Sequence, residues 1–304
     1  MAPPVPPAPM RTTRPSAAFA APLPLRRSAA AARPAALQRA ARVKPPPRAT
    51  QAPPVIVPGK FDALHLGHRH LAQTASHHGS PTLLSFSGMA AKLRWPPRAP
   101  ITAPSDRARI LRSWQSALAT PIHTVVLPFH AVGDMPPDAF VRFLKARFDA
   151  HAVVCGADWR FGKGAVGDVG VLKQSAATLG MHVHVASTVA LHGQGVSSTR
   201  VRNALSEGDV ALVAALLGRY HRAVGCVVHV DAHGAVRCAG FVNQLPRAGL
   251  YEAVVRVVGR TAPTRGTVQV GRDGDGEAFV LLFDSDAVYC AECELYVDFV
   301  DRLV

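Results

Sequence analysis

Between residues 55 and 217, short apolar runs alternate with amphipathic stretches of helical period, and this alternation limits the fold more than any other feature of the chain. The runs at 55–57, 82–86, 122–127, 151–155 and 182–186 are strand-sized. The stretches at 69–78, 106–114, 138–148, 199–205 and 210–217 have helical spacing. Ser105 stands where the second would be capped, Pro136 and Pro137 open the third, and Gly218 can close the last. The pattern predicts an α/β unit, a parallel sheet covered by crossover helices. After Tyr220 the period becomes that of β-strands, at 224–230, 236–241, 251–258, 267–270, 278–283 and 295–300, with turn sequences D-A-H-G at 231–234 and D-G-D-G at 273–276. Few helical stretches intervene, which predicts a small antiparallel, barrel-like module. No internal repeat is evident.

The N-terminal 51 residues belong to neither pattern. The first 50 contain nine Lys or Arg, many Ala and Pro, and no carboxylate; the first acidic residue is Asp62. Such a segment cannot bury a core and reads as a cleavable organelle-targeting peptide, a ligand of import machinery. A disordered nucleic-acid-binding arm is the alternative, but these cations are dispersed rather than blocked. Removing the nine cations takes the formal charge from +14 to +5, ordinary for an enzyme of anionic substrates. The basic balance is therefore no argument for a nucleic-acid partner. No apolar run approaches the ~20 residues needed to span a bilayer, so no membrane partner is expected. The organisation expected is 1–51 as disordered transit peptide, 52–222 as the α/β domain and 223–304 as the β domain. Cys290 and Cys293 form one C-x-x-C without a second pair or nearby His, so reduced, partly buried thiols are expected of the five cysteines rather than a zinc site, with redox sensitivity the lesser alternative.

The stretch GKFDALHLGHRH at 59–70 joins the first strand to the first helix. A strand that ends in a Gly-containing turn and feeds a helix gathers backbone N–H groups and the positive end of the helix dipole at one point, which suits an anion. His65 and His68, at i and i+3, can direct their rings the same way, and Gly67 lets a phosphate chain approach the backbone. An imidazole can donate to a phosphoryl oxygen as charge builds there. The alternative is a helix start that happens to hold two histidines. A metal site of His65, His68 and His70 is disfavoured, because His70 projects from another face and no acidic or Cys partner lies close.

A second stretch, VSSTRVRNAL at 196–205, places Ser197, Ser198 and Thr199 at a helix start with Arg200 and Arg202 in its first turns. The hydroxyls can cap the helix or hold a phosphate oxygen, and guanidinium forks match phosphate geometry. Cations disfavour a helix N-terminus unless an anion sits there, so this arrangement is costly without a ligand.

Together, H-x-G-H early in an α/β domain and S-S-T-x-x-R near its end resemble the nucleotidylyltransferase superfamily, which joins a nucleotide to a phosphate-bearing acceptor. VVCGADWRFGKGAVGD at 153–168 resembles the flavin-site loop of the FAD synthetases, or FMN adenylyltransferases. GKFDALHLGH, LLSFSGMAAKLRWPPRAPITAPSDRARIL and LLGRYHR look like the plastid FAD synthetases of plants and algae. The resemblance implies a Rossmann-like parallel-sheet nucleotidylyltransferase domain, ATP and FMN as substrates, magnesium as cofactor, and a chloroplast location, with the mitochondrion open on composition. It makes His65 and His68 a phosphate-contacting catalytic pair together with Arg202. Gly59, Lys60, Phe61, Asp62, Gly67, Ser197, Ser198 and Thr199 fall on the ATP and phosphate side. Asp158, Trp159, Arg160 and Phe161 fall on the flavin side, with Asp158 also the magnesium candidate, and Trp159 and Phe161 read alternatively as core. Lys60 departs from bacterial relatives, which usually have Asn there. The implied reaction is direct, in-line adenylyl transfer, in which loss of His68 should lower kcat and barely touch stability.

The β module resembles a worn riboflavin kinase. The kinase's Gly-Phe-Pro-Thr-Ala-Asn motif becomes GFVNQL at 240–245, with Asn243 at the Thr position and Leu245 at the Asn position. A rough alignment puts Ala278, Phe279 and Val280 where a catalytic carboxylate is expected, with Glu277 one register slip away. No riboflavin phosphorylation is expected, and a structural or docking role is. The rivals are a bifunctional kinase–adenylyltransferase, a transferase acting on pantetheine phosphate or nicotinamide mononucleotide, an aminoacyl-tRNA synthetase fragment and a non-catalytic flavin-binding protein. The synthetase fragment is disfavoured by the lack of a K-M-S-K-S stretch.

Overall fold

The computed structural model describes residues 52–230, 235–258, 262–274, 276, 278–283 and 293–304. The expected transit peptide, the 231–234 turn, Glu277 and Cys290 lie outside the described residues. Five parallel strands form the first sheet: β1 (Pro54–Pro58), β2 (Ser80–Ser87), β3 (His123–Pro128), β4 (Ala152–Gly156) and β5 (His182–Ala186). Their order is β3-β2-β1-β4-β5. Central β1 is buried almost throughout, as a strand covered on both faces must be. The helices that cover the sheet include α1 (Leu66–Ser76), α3 (Arg107–Leu118), α5 (Pro137–Phe148) and α6 (Val169–Ala177), with short turns α2 (Met89–Lys92) and α4 (Phe129–Val132) between. After a hairpin of β6 (Ala190–Leu191) and β7 (Gln194–Gly195) come α7 (Ser198–Glu207) and α8 (Val210–Leu217), which ends at Gly218 with φ +66°.

Three local outcomes differ from the sequence reading. Helix α1 starts three residues early, because His65 itself caps it. Ser105 does not cap α3; Asp106 holds that position, and its carboxylate takes the Arg109 guanidinium at 2.6 and 2.7 Å instead of a helix N–H. Helix α6 was not anticipated, although Asp168 caps it by accepting the Val171 N–H at 3.0 Å, an Asp N-cap signal that the sequence carries.

The second element is a closed barrel of strands β8 (His221–Val230), β9 (Val236–Ala239), β10 (Gly249–Val257), β11 (Thr264–Arg272), β12 (Ala278–Phe283) and β13 (Glu294–Arg302), in the order β10-β11-β12-β9-β8-β13. Alternate residues such as Tyr251, Ala253, Val255 and Val257 on β10 point inward, as closure requires. Val210 of α8 joins that core. The described residues of the α/β part and the barrel pack as one unit. Arg222, on the first barrel strand, forms a bidentate pair with Asp298 at 2.7 and 2.6 Å and reaches Asp106 of the α/β part at 3.4 Å. Cys155 and Cys238 are buried and Cys226 exposed, all free, whereas Cys293 is disulfide-bonded, against the expectation of reduced thiols. Among the described residues no helix is long and apolar enough to cross a membrane.

Candidate active site

The sheet order reverses at β1, with β2 and β3 laid on one side and β4 and β5 on the other. In open α/β sheets the crevice outside the strand C-termini at such a point is where ligands bind. Strand β1 feeds the loop to His65, and β4 feeds the loop carrying Asp158, so both sequence motifs open on this crevice.

The 59–64 loop is held in a strained shape. Phe61 and Leu64 have φ of +49° and +48° and are fully buried, a combination that non-glycine residues adopt only when their surroundings impose it. Arg107 donates to the Phe61 carbonyl at 2.7 Å, and Arg219 donates to the carbonyls of Ala63 and Leu64, each at 2.8 Å. The sequence reading gave neither arginine a role, although Arg219 sits in LLGRYHR and Arg107 in SDRARIL.

His65 is the N-cap of α1: its Nδ1 accepts the His68 N–H at 3.2 Å, so its proton sits on Nε2. The two rings stack with centroids 3.7 Å apart and 13° between planes, and Phe61 lies 4.9 Å from the His68 ring. Nδ1 of His68 is buried without a hydrogen-bond partner. An unmet acceptor is cheaper to bury than an unmet N–H, which puts the His68 proton on Nε2 as well. Burial, aided by the Arg219 charge, lowers the His65 pKa to about 4. Burial, then the neighbouring His65, Arg107 and Arg219, hold His68 well below the usual imidazole range. Both are neutral hydrogen-bond donors at pH 7. A Cβ on Gly67 would come 3.1 Å from the His65 ring, so a side chain there would press on that ring.

The start of α7 converges on the start of α1. The Val196 carbonyl lies 3.4 Å from where a Cβ on Gly67 would be. Ser197 caps α7 by accepting the Arg200 N–H at 3.2 Å, and Ser198 and Thr199 form its first turn. The arginines are not waiting for an anion to offset their cost. Arg200 donates to the carbonyls of Leu191 and Gln194, both at 2.9 Å, and so anchors the hairpin. Nη2 of Arg202 pairs with Asp62 at 2.7 Å, while its Nη1 donates to the Ala99 carbonyl at 3.0 Å and to Gln244 Oε1 at 2.6 Å. Backbone carbonyls meet Arg200, and the Asp62 carboxylate, a carbonyl and an amide oxygen meet part of Arg202, so both guanidinium groups have protein partners at this helix start. Of the remaining predicted residues, Gly59 donates to the Leu84 carbonyl at 3.0 Å, and Lys60 lies over the Trp95 ring at 4.8 Å.

On the β4 side, Asp158 is exposed and sits over Gly156, with Oδ1 3.0 Å from where a Cβ there would be. Trp159 is half-buried and stacks on Phe161 at 4.6 Å and 6°. Phe161 matches the core alternative of the two readings. Its ring is buried against Phe140 and Gly167, and Trp159 covers one face, so it supports Trp159 from beneath. Arg160 lies 3.6 Å from Asp168 on the surface.

The FAD synthetase family model matches residues 48–200, which include the H-x-G-H loop, the Asp158 loop and the start of α7. The chain belongs to the FAD synthetase family. It is 36% identical to FAD synthetase 1, chloroplastic, of Arabidopsis thaliana over 69% of this chain and 65% of that protein, and 37% identical to FAD synthetase 2, chloroplastic, over 71% and 64%. It therefore spans about two thirds of the length of those relatives, 65% and 64%. A bifunctional riboflavin kinase/FMN adenylyltransferase of Pseudomonas fluorescens is 31% identical over 73% of this chain and 68% of its own. Among solved structures, one described as a macrolide-efflux protein from Streptococcus pneumoniae shares this FAD synthetase fold with a TM-score of 0.70 at 22% identity, covering 84% of this chain and 87% of that one. That likeness is one of fold alone.

Proposed function

We propose that this chain transfers AMP from ATP to FMN, giving FAD and pyrophosphate. The observation that carries the reading is the convergence of the α1 and α7 N-termini, with two neutral imidazole donors on one and Ser198 and Thr199 on the other, beside the β4 loop. An FMN phosphate oxygen attacks the α-phosphorus of ATP; that P–O bond forms as the bond from the α-phosphorus to the α–β bridging oxygen breaks, and that oxygen leaves on pyrophosphate. No covalent protein intermediate is needed, so the protein acts by positioning and by meeting charge as it develops. The Nε2–H groups of His65 and His68 donate to phosphate oxygens, Ser198 and Thr199 hold the triphosphate with the α7 N-terminus, and Arg202 adds its remaining N–H groups. Lys60 lies at the mouth of the same loop. Trp159, braced by Phe161, offers its free face to the isoalloxazine, with Arg160 beside it.

Magnesium usually takes one or two carboxylates together with substrate phosphates and waters. Asp158 provides one exposed carboxylate in the loop after β4. The site therefore fits an ion that arrives with ATP, held by Asp158. Such an ion would neutralise charge on the phosphates.

A second reading, the bifunctional one, is disfavoured by Asn243. Its Oδ1 accepts the Val224 N–H at 3.0 Å and its Nδ2 donates to the carbonyls of Ile101 and Arg222 at 3.0 and 2.8 Å. Every polar group of that side chain is used within the protein, and Leu245 packs against the barrel core, so the kinase motif has no nucleotide-binding groups at these two positions. Residues 1–51 are read as a plastid-targeting peptide, in keeping with the chloroplastic relatives. The test incubates protein with ATP and magnesium and either FMN or riboflavin, and separates the flavins by chromatography. FAD from FMN alone is the expected result; any product from riboflavin establishes kinase activity, and none from FMN overturns the transferase reading.

A further inference from the structure

We propose that the barrel is a working part of the transferase site, with Gln244 as the positioning residue for Arg202; the proposal rests on the adenylyl-transfer reading. All four hydrogen-bonding groups of Gln244 are committed, and the side chain grips Arg202 from both ends. Its Oε1 accepts Arg202 Nη1 at 2.6 Å, and its Nε2 donates to the Arg202 carbonyl at 3.3 Å and to Ser206 Oγ at 3.4 Å. Its backbone N–H donates to the Pro100 carbonyl at 2.8 Å, and its own carbonyl accepts His221 Nε2 at 2.7 Å.

These bonds close a ring. Arg202 pairs with Asp62, Asp62 accepts the Ile101 N–H at 3.2 Å, and the Ile101 carbonyl accepts Asn243 Nδ2 at 3.0 Å, one residue from Gln244. The loop that carries the histidines, the 99–102 strap, helix α7 and the barrel thus share one circuit, and the Arg202 guanidinium keeps donors to spare within it. Nη1 and one Nη2–H face protein acceptors, which leaves Nε–H and the second Nη2–H without a protein partner among the described residues. A guanidinium held this way presents a fixed pair of donors and loses little freedom on meeting a phosphate. Asn243 and Gln244, within the altered kinase motif, therefore face the transferase half of the molecule.

The experiment compares Gln244→Ala and Gln244→Glu with the unaltered full chain, measuring steady-state FAD formation from FMN and magnesium ATP, calorimetric ATP affinity and Tm. Alanine removes the acceptor that holds Nη1; glutamate keeps an acceptor there and loses the same Nε2 donor. The expected result is a roughly tenfold fall in kcat/KM for ATP in the alanine variant, about 1.4 kcal/mol of barrier, with ATP affinity reduced as well. The glutamate variant should return to near the unaltered values although both variants lose the same Nε2 bonds. A purely structural role would make activity follow Tm and leave glutamate no better than alanine. The proposal is overturned by that pattern, or by an alanine variant with unaltered kinetics and ATP affinity. If the unaltered chain makes no FAD from FMN, the adenylyl-transfer reading fails, and the ATP affinities of the two variants still decide the role of Gln244.

Discussion

The rings of His65 and His68 are stacked 3.7 Å apart, and the Nδ1 of the first accepts the backbone N–H of the second. A proton on either ring would be desolvated and would face Arg219. Both rings should therefore stay neutral well below pH 6.5. In an NMR titration of the ring protons, His65 should show its midpoint at about 4, and His68 should titrate well below the usual histidine range. A midpoint near 6.5 for either would mean that the pair is solvated and not built as described.

Removing one donor aimed at developing phosphate charge costs roughly 3 kcal/mol of barrier, or about a hundredfold in kcat. His68→Ala should show a loss of that order. The enclosed ring, between His65 and Phe61, also changes the expectation for stability: its removal leaves a cavity, and a few degrees of Tm should go with it. Kinetics and a thermal melt on the same preparation separate the two effects. A variant that lost only Tm and kept its kcat would remove His68 from the chemistry.

The alternation of strand and helix made the parallel sheet legible, and the exact agreement at 182–186, 210–217 and 278–283 reflects apolar runs bounded by clear breakers. The histidine pair and the Ser197 cap were legible because spacing alone sets their geometry. What the sequence hid was long-range. Nothing local says that Arg202 meets Asp62, 140 residues away, or that Arg219 holds the carbonyls ahead of His65. Two cations near a helix start point to an anion when read locally, because carbonyl and carboxylate partners from other loops leave no trace in the local pattern. Phe161 carries two readings for a related reason: an aromatic beside a ligand loop and one beneath it look alike in sequence.

His221 adds to the pH dependence of folding. It is buried with its Nε2 on the Gln244 carbonyl, and burial lowers its pKa to about 4, as it does for His65. The unfolded chain, with histidines near 6.5, binds more protons than the folded one between about pH 6.5 and 4. Stability is then fully present above pH 6.5 and lost as pH falls through that window. Each such histidine contributes a slope approaching about 1.4 kcal/mol per pH unit. Urea unfolding at pH 7, 6 and 5 should show stability falling with acid, and a folded His221→Gln variant should show a shallower fall. An unchanged slope in that variant would mean that His221 is already charged in the native state.

Trp159 and Phe161, stacked at 4.6 Å, should separate cleanly when each is removed. Phe161 is buried among core aromatics, so Phe161→Ala should cost about 3–5 kcal/mol of stability. Trp159 is half-buried, and stacking of a ring on a planar base is worth about 1–3 kcal/mol. Trp159→Ala should therefore raise the KM for FMN by roughly tenfold while leaving the KM for ATP near its original value, because the ATP side of the crevice is built from α1 and α7. Flavin fluorescence during FMN titration gives the same comparison as a binding constant. A Trp159→Ala protein that bound FMN normally would remove Trp159 from the isoalloxazine face and send the flavin to another wall of the crevice.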